Sequence, residues 1–207
     1  MRDWFKTLAG IALVLGFLAP AAVAQAPGGA AAGQFISGLG SQVIHLIADK
    51  QQPDAQRKAQ FASLVRNSFD VDGIARFILG SYWRTASEQQ RNDFTQTFAT
   101  YMIDVYWSDF NRYSGQQLKV TGQRSESGNS TVVSTEIDQT NGAPPVNVDW
   151  RVIAANGGYK INDVSIAGVS ELITYRDEFS NVIAQAGGNV DALTARLKQK
   201  IQQIGGS

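Results

Sequence analysis

The chain has 207 residues, of which 43% are hydrophobic and 17% are charged, with 18 basic residues against 18 acidic ones. This is an ordinary globular composition, and the balanced charge argues against nucleic acid as a partner, because phosphate neutralisation needs clustered lysine and arginine. The sequence has no cysteine, which excludes disulfides, thiol catalysis and zinc–thiolate sites.

The N-terminus has the layout of a secretory signal peptide. Arg2 and Lys6 precede the apolar run 8–18, and Ala22-Val23-Ala24 forms a cleavage site of the A-x-A type. The apolar run is too short to span a membrane, which needs about 20 apolar residues. We therefore expect three segments: a signal peptide cleaved after Ala24 on export to the periplasm (1–24), a flexible lead-in (25–33) and a single domain (34–207).

The first part of that domain, about 34–112, carries apolar residues at helical spacing. Pro53-Asp54 marks a break between two predicted helices. The longest predicted helix begins at Ser87, which forms a capping-box pattern with Gln90, and runs to about Asn111. It carries more aromatic residues than a helix on the protein surface needs.

The second part of the domain changes to the period of two that is typical of strands. Strands are predicted at 118–121, 130–138, 146–152 and 159–166, within a sheet region of about 117–167. Short connections such as the Asn156-Gly157-Gly158 turn indicate antiparallel pairing of about four strands. Two helices are predicted within 169–204. The fold class is therefore α+β: a curved antiparallel sheet packed with N-terminal and C-terminal helices.

The sequence shows no motif for catalysis or metal binding. His45 is the only histidine, and no nucleophile elbow, P-loop or dinucleotide-binding glycine pattern occurs. Four aspartates could act as a base if apolar surroundings raised the pKa of one of them, although solvated or salt-bridged roles are more common. These are Asp104, Asp109, Asp149 and Asp163. We expect neither an enzyme nor a cofactor nor a metal site.

Four stretches, in this order along the chain, resemble the MlaC family of periplasmic phospholipid-binding proteins, also called the toluene-tolerance family. They are 69–84, which includes Leu79-Gly80-Ser81-Tyr82-Trp83-Arg84, then 88–98, 148–152 and 159–179. The sequence departs from the family pattern at three positions. Tyr159 stands where tryptophan is common, Ala167 where an acidic residue is common, and Glu171 where an apolar residue is common. The HpnM branch, which is associated with hopanoid biosynthesis, is an alternative assignment.

The resemblance implies a sheet curved into a cone, as in the nuclear-transport-factor fold. Phospholipid acyl chains, or a hopanoid in the HpnM alternative, lie between this sheet and the helices as cargo. It also implies a soluble carrier that moves lipid between an outer-membrane lipoprotein complex and an inner-membrane ABC lipid transporter. Such a carrier maintains outer-membrane lipid asymmetry, and we expect it to be a monomer, because a shuttle must detach and diffuse.

Periodicity alone favours an ordinary core at the apolar positions, and the resemblance is what favours cavity lining. From the sheet and the turn after it, the predicted lining residues are Val133, Ile137, Val148, Trp150, Val152, Val164, Val169 and Leu172. From the helices, they are Phe77, Tyr82, Phe98, Met102 and Val105. Arg84 and Arg176 are predicted at the rim, near the lipid phosphate, with structural salt bridging as the alternative.

Two other classes of function stay open. One is a small isomerase or hydrolase in a similar cone, which needs a carboxylate or tyrosine with a shifted pKa at the cavity floor. The other is a periplasmic interaction module whose core is filled and which carries no cargo.

Overall fold

The computed structural model describes residues 27–110, 113–127, 129–140, 142–155 and 157–205. The predicted signal peptide lies outside these residues. The first helices are α1 (Pro27–Ala48), α2 (Asp54–Ser68), α3 (Val71–Leu79), α4 (Tyr82–Thr85) and α5 (Glu88–Phe110). The strands are β1 (Gln117–Glu126), β2 (Ser130–Asp138), β3 (Val146–Ala155), β4 (Gly158–Ile166) and β5 (Val169–Ser170). Helices α6 (Glu171–Gln185) and α7 (Val190–Gly205) follow. The α+β prediction is confirmed.

Helix α1 is longer than predicted, because residues 27–33 form its first turns and are not a flexible lead-in. The small side chains of residues 30–33 let the helix approach the sheet closely. Ala32 is fully buried, and a Cβ atom added to Gly33 would lie 2.7 Å from the side-chain oxygen of Gln123. The alanines and glycines here serve close packing, which composition alone does not distinguish from flexibility.

The start of α5 follows the predicted capping box. The Ser87 N–H donates to the Gln90 side-chain oxygen (2.9 Å), and the Gln90 N–H donates to the Ser87 hydroxyl (3.1 Å). These two bonds satisfy amide groups that have no partner within the helix. Local sequence therefore fixes where the long aromatic helix begins.

The sheet is an antiparallel meander in the order β1-β2-β3-β4-β5. It has one strand more than the four predicted, the two-residue β5 at its edge. Trp150 lies opposite Val133 on one side and Val164 on the other, so these three side chains share the apolar inner face. Arg151 lies opposite Asp163 on the other face. The alternation predicted for β3 is confirmed.

Three separate hydrophobic clusters hold the helices and the sheet together. The helical core joins α3, α5, α6 and α7 around Phe94, which is fully buried. The sheet core lies between α1 and the sheet around Ile36. The α2 core joins α1, α2 and α5 around Phe61 and Trp107.

Candidate functional site

Helix α1 covers only part of the inner face of the sheet. In the covered part, Val133 and Val152 are 0% and 1% exposed and pack in the sheet core with Ala32 and Ile36. Both valines were predicted to line a cavity. The structure places them in closed core instead, because α1 starts earlier than the sequence indicated and its small residues fit tightly over them.

The inner face continues beyond these valines as an apolar wall. Val148 is buried, while Ile137, Trp150 and Val164 are half-buried, and Trp150 and Val164 also pack against the sheet core. The polar groups in this wall bond to each other: the Trp150 indole N–H donates to the Thr135 hydroxyl (3.0 Å), which donates to the Val148 carbonyl (2.9 Å). The wall therefore presents apolar surface without unsatisfied polar atoms.

We take a half-buried face of helix α5 as the second wall. Met102, Val105, Tyr106 and Asp109 follow the i, i+3, i+4, i+7 spacing that places side chains on one face of a helix, and all four are half-buried. Helix α5 makes its main contacts with α2, α3 and α7 rather than with the sheet. Leu172 of α6, also half-buried, packs beside Met102 and Val105 on the helical core.

The half-buried stripe of α5, the start of α6 and the inner face of the sheet beyond the valines under α1 are the surfaces that we assign to a candidate cavity. Tyr106 on this stripe is half-buried and packs against the α2 core. Two surface depressions lie elsewhere, one at the β3–β4 turn and one between α6 and α7. Neither includes a residue predicted to line the cavity.

The remaining predicted lining residues lie in the helical core or on the surface. Phe98 is buried in the helical core, stacked on Phe94 with ring centroids 5.8 Å apart. Tyr82 is half-buried on the short helix α4, packed against the same core. Phe77 and Val169 are 38% and 44% exposed on the surface. Helix α3 forms as predicted, but its buried face carries Ala75, Ile78 and Leu79, and Phe77 lies on the exposed face.

The two predicted rim arginines differ in their surroundings. Arg84 is exposed on α4, and its carbonyl accepts a bond from the Arg91 side chain (3.4 Å). Arg176 is exposed on α6 with its guanidinium 4.7 Å from the centre of the Phe77 ring. Neither makes an ion pair with another described residue. Arg176 therefore has a cation–π contact rather than the salt bridge that was the alternative.

The sequence analysis did not single out a polar group at the junction of α5 and α6. It consists of Tyr101 and Tyr106 on α5 with Glu171 and Tyr175 on α6. The Tyr101 and Tyr175 ring centroids are 6.5 Å apart. Glu171 and Tyr175 are one helical turn apart and share a face of α6. The departure of Glu171 from the family pattern was the one signal that could have indicated it.

Burial is the main cause of the pKa shifts in this polar group. It raises the pKa of the Tyr106 hydroxyl well above its ordinary value, and the nearby Glu171 and Asp109 carboxylates raise it further. Burial likewise raises the pKa of Tyr175, with added effects from Tyr106 and Tyr101. Both hydroxyls are therefore neutral at physiological pH.

Burial also raises the pKa of Glu171, followed by the charges of Asp163 and Glu178. Asp163 itself is buried on β4 and accepts hydrogen bonds from the Ser170 hydroxyl (2.8 Å) and the Leu172 N–H (3.2 Å). These bonds attach the start of α6 to β4 and so fix the position of Glu171.

Two of the other candidate carboxylates lie in positions typical of structural rather than catalytic residues. Asp104 is buried and pairs with Lys58 at 2.9 Å. Asp149 is half-buried and opposite Ser134 and Ser165, on the outer face of the sheet. His45 is exposed on α1. Among the described residues, no three histidine, aspartate or glutamate side chains lie close enough to hold a metal ion.

Comparison with known proteins identifies the family. The sequence model of the MlaC protein family matches residues 39–199. The chain belongs to the MlaC family. This match covers α2 to α6 and all five strands entirely, with the C-terminal part of α1 and most of α7, so it includes both walls of the candidate cavity.

Two curated relatives have names that agree with this family. The chain is 26% identical over 161 residues to the "Intermembrane phospholipid transport system binding protein MlaC" of Haemophilus influenzae, covering 74% of this chain and 72% of that protein. It is 25% identical over 150 residues to the "Toluene tolerance protein ttg2D" of Pseudomonas putida, covering 70% of this chain and 69% of the relative.

A solved structure shares the MlaC fold of this chain. It is a phospholipid-binding protein from Ralstonia solanacearum, determined in complex with a phospholipid. The TM-score is 0.73 at 22% identity, covering 84% of this chain and 98% of that one. The sheet and helices described above are therefore arranged as in a protein that holds a phospholipid.

Proposed function

We propose that this MlaC-family protein is a lipid carrier that binds phospholipid acyl chains in the candidate cavity. The observation that supports this most is the set of apolar side chains left half-buried on two elements, Met102 and Val105 on α5 and Ile137, Trp150 and Val164 on the sheet. The Haemophilus relative is named for phospholipid transport, and the Ralstonia neighbour holds a phospholipid. The proposed lining is Ile137, Val148, Trp150, Val164, Met102, Val105 and Leu172.

The energetics of lipid tails are consistent with this wall chemistry. A diacyl phospholipid has about 28 methylenes, and exposing them to water costs about 20 kcal/mol at about 0.8 kcal/mol each. A carrier must therefore surround them with apolar surface. Acyl chains need no hydrogen bonds, which agrees with a sheet wall whose polar atoms bond to each other.

We place the carrier in the periplasm, between an outer-membrane lipoprotein complex and an inner-membrane ABC lipid transporter. The signal-peptide pattern of residues 1–24 supports export. None of the described helices is long and apolar enough to cross a membrane. A monomer suits this role, since the carrier must leave one membrane to reach the other. Hopanoid cargo is the alternative, as in the HpnM branch.

We propose no catalytic step for this site, although the polar group on α5 and α6 keeps the enzyme class as a second candidate. A carboxyl with a raised pKa, as Glu171 has, is the feature that an isomerase in a similar cone would need. The Tyr106 and Tyr175 hydroxyls, whose pKa values are raised, are poor acids at neutral pH. Glu171 would be the base in that alternative.

The carrier function predicts uptake of phospholipid from membranes. Delipidated protein incubated with vesicles that contain a fluorescent phospholipid should acquire about one lipid per chain, because a lipid that has left the membrane keeps its acyl chains out of water only inside the cavity. The measurement is the label that co-elutes with protein after the vesicles are removed. The control is the same separation performed on the labelled lipid in detergent-free buffer without protein. Loading with a hopanoid but not with phospholipid would support the HpnM alternative, and loading with neither would contradict the carrier function.

A further inference from the structure

Three large apolar side chains are exposed among the residues that the structure describes. Phe77 on α3 is 38% exposed, Val169 on β5 is 44% exposed and Ile173 on α6 is 54% exposed. Single exposed apolar residues are common on soluble proteins, so these three are informative only if they lie together.

Contacts between α3, β5 and α6 join the three into one surface. The guanidinium of Arg176 lies 4.7 Å from the centre of the Phe77 ring. Ile173 is three residues before Arg176 on α6, so the two side chains are neighbours on one face of the helix. The Ile173 N–H donates to the hydroxyl of Ser170 (3.1 Å), the residue that follows Val169 in β5. We call Phe77, Val169, Ile173 and Arg176 the α3–α6 patch.

The backbone holds this patch in place. Ala167 (φ 50°) and Gly168 (φ 82°) form a tight turn with left-handed backbone, and the strand after it, β5, pairs with β4. Gly80 ends α3, and a Cβ atom added there would lie 3.4 Å from a guanidinium nitrogen of Arg176. This guanidinium therefore packs against the backbone at the end of α3 as well as on the Phe77 ring. The exposed side chains project from ordered elements.

The charges of the patch favour short-range binding of a phosphate over long-range attraction. Neither Arg176 nor the exposed Arg76, beside Phe77, forms an ion pair with another described residue. Exposed Asp72 is one helical turn before Arg76, and exposed Asp177 directly follows Arg176, so the patch has no excess of positive charge. A guanidinium that is held in place and lacks an acidic partner keeps its N–H donors available for a phosphate at close range.

We propose that the α3–α6 patch docks the protein on a phospholipid membrane, with its three apolar side chains inserted among the head groups and Arg176 bound to a lipid phosphate. The surface of a phospholipid bilayer supplies apolar contact and phosphate together. A protein partner fits this patch less well. A stable protein complex buries about 800 Å² on each partner, which is far more than three partly exposed side chains offer.

The position of the patch agrees with this role. Ile173 directly follows Leu172, which belongs to the proposed lining of the cavity. A membrane at the patch therefore meets the start of α6, one of the surfaces assigned to the cavity. This inference rests on the proposed carrier function, since a carrier has to meet a membrane to exchange its lipid.

Co-sedimentation with vesicles tests the docking, and its readout is the fraction of protein bound. The mature protein is mixed with vesicles of phosphatidylethanolamine and phosphatidylglycerol. Ile173→Asp should lower the partition of protein onto these vesicles by about tenfold, because a carboxylate in the patch opposes insertion. Ala195→Asp adds the same charge at an exposed position of α7 and should bind as wild type does. Circular dichroism reports whether both variants are folded.

A second pair of variants tests the phosphate contact. Arg176→Gln should lower the same partition by about fivefold, as expected for one basic side chain at an anionic membrane surface. Arg196→Gln removes an exposed arginine from α7 and should leave the partition unchanged. Equal binding by both variants would overturn the assignment of Arg176 to a lipid phosphate.

The outcomes separate the docking surface from the carrier function. A wild type that does not bind vesicles, or folded Ile173→Asp that binds as wild type does, would overturn the docking surface. An equal fall in Ile173→Asp and Ala195→Asp would also overturn it, since binding would then depend on total charge. Lipid uptake is measured separately, so a protein that fails these tests and still loads lipid leaves the carrier function standing. A protein that binds vesicles through the patch and loads no lipid would contradict the carrier function alone.

Discussion

Val148→Glu should abolish lipid loading while the protein remains folded. Val148 lies in the apolar wall of the sheet, opposite Thr135 and Ile166, and is 4% exposed. A carboxylate there would lie among the acyl chains, where an unpaired charge is strongly unfavourable. We expect the affinity for phospholipid to fall by about a hundredfold or more, which corresponds to about 2.7 kcal/mol. Lipid uptake from vesicles measures the effect, and circular dichroism reports folding.

The control for this variant is Ala154→Glu, which adds the same charge at an exposed position of the same strand. It should load lipid as wild type does. If Val148→Glu unfolds the protein, Val105→Glu on the half-buried stripe of α5 makes the same test on the opposite wall, with the exposed Ser108→Glu as its control. Full lipid loading by folded Val148→Glu or Val105→Glu would show that the lining is assigned to the wrong residues.

Phe94→Ala should strongly destabilise the helical core. Phe94 is fully buried, stacked on Phe98 (5.8 Å between centroids) and edge-on to Phe179 (6.4 Å). Removing a buried phenylalanine side chain costs about 3–5 kcal/mol, because both transfer energy and cavity formation oppose folding. Urea unfolding followed by fluorescence measures the free energy of unfolding.

Phe77→Ala is the matched control, since it removes the same side chain from a site that is 38% exposed. Phe77→Ala should lower the free energy of unfolding by about 1 kcal/mol or less, mainly because the contact with Arg176 is lost. Comparable losses at both positions would mean that Phe77 packs inward, as the sequence analysis first predicted. Unchanged stability in Phe94→Ala would contradict the helical core described here.

Local features of the fold were predictable because they depend on neighbouring residues. The capping box of Ser87 and Gln90 formed as expected, and the alternation of β3 put Val148 and Trp150 on one face. Features that depend on tertiary contacts could not be predicted from the sequence. The lead-in became the start of α1 because Ala32 and Gly33 pack on the sheet, which no local pattern signals. The two-residue β5 is likewise too short to show a period.

The candidate site was predictable only in part, for the same reason. Periodicity identifies the apolar face of a helix or strand, but not which part of that face another element covers. Val133 on β2 and Val148 on β3 both lie on the inner face of the sheet. Only Val133 packs in the sheet core under α1. The polar group of Tyr106, Glu171 and Tyr175 comes from two helices with the whole sheet between them in sequence. Only the tertiary fold brings these side chains together.

Native mass spectrometry of the mature protein, purified without detergent, tests the carrier function most directly. The account predicts a main species heavier than the bare chain by the mass of one phospholipid, which reverts to the bare mass in Val148→Glu. A bare-chain mass throughout, together with no uptake when the delipidated protein meets phospholipid vesicles, would contradict it.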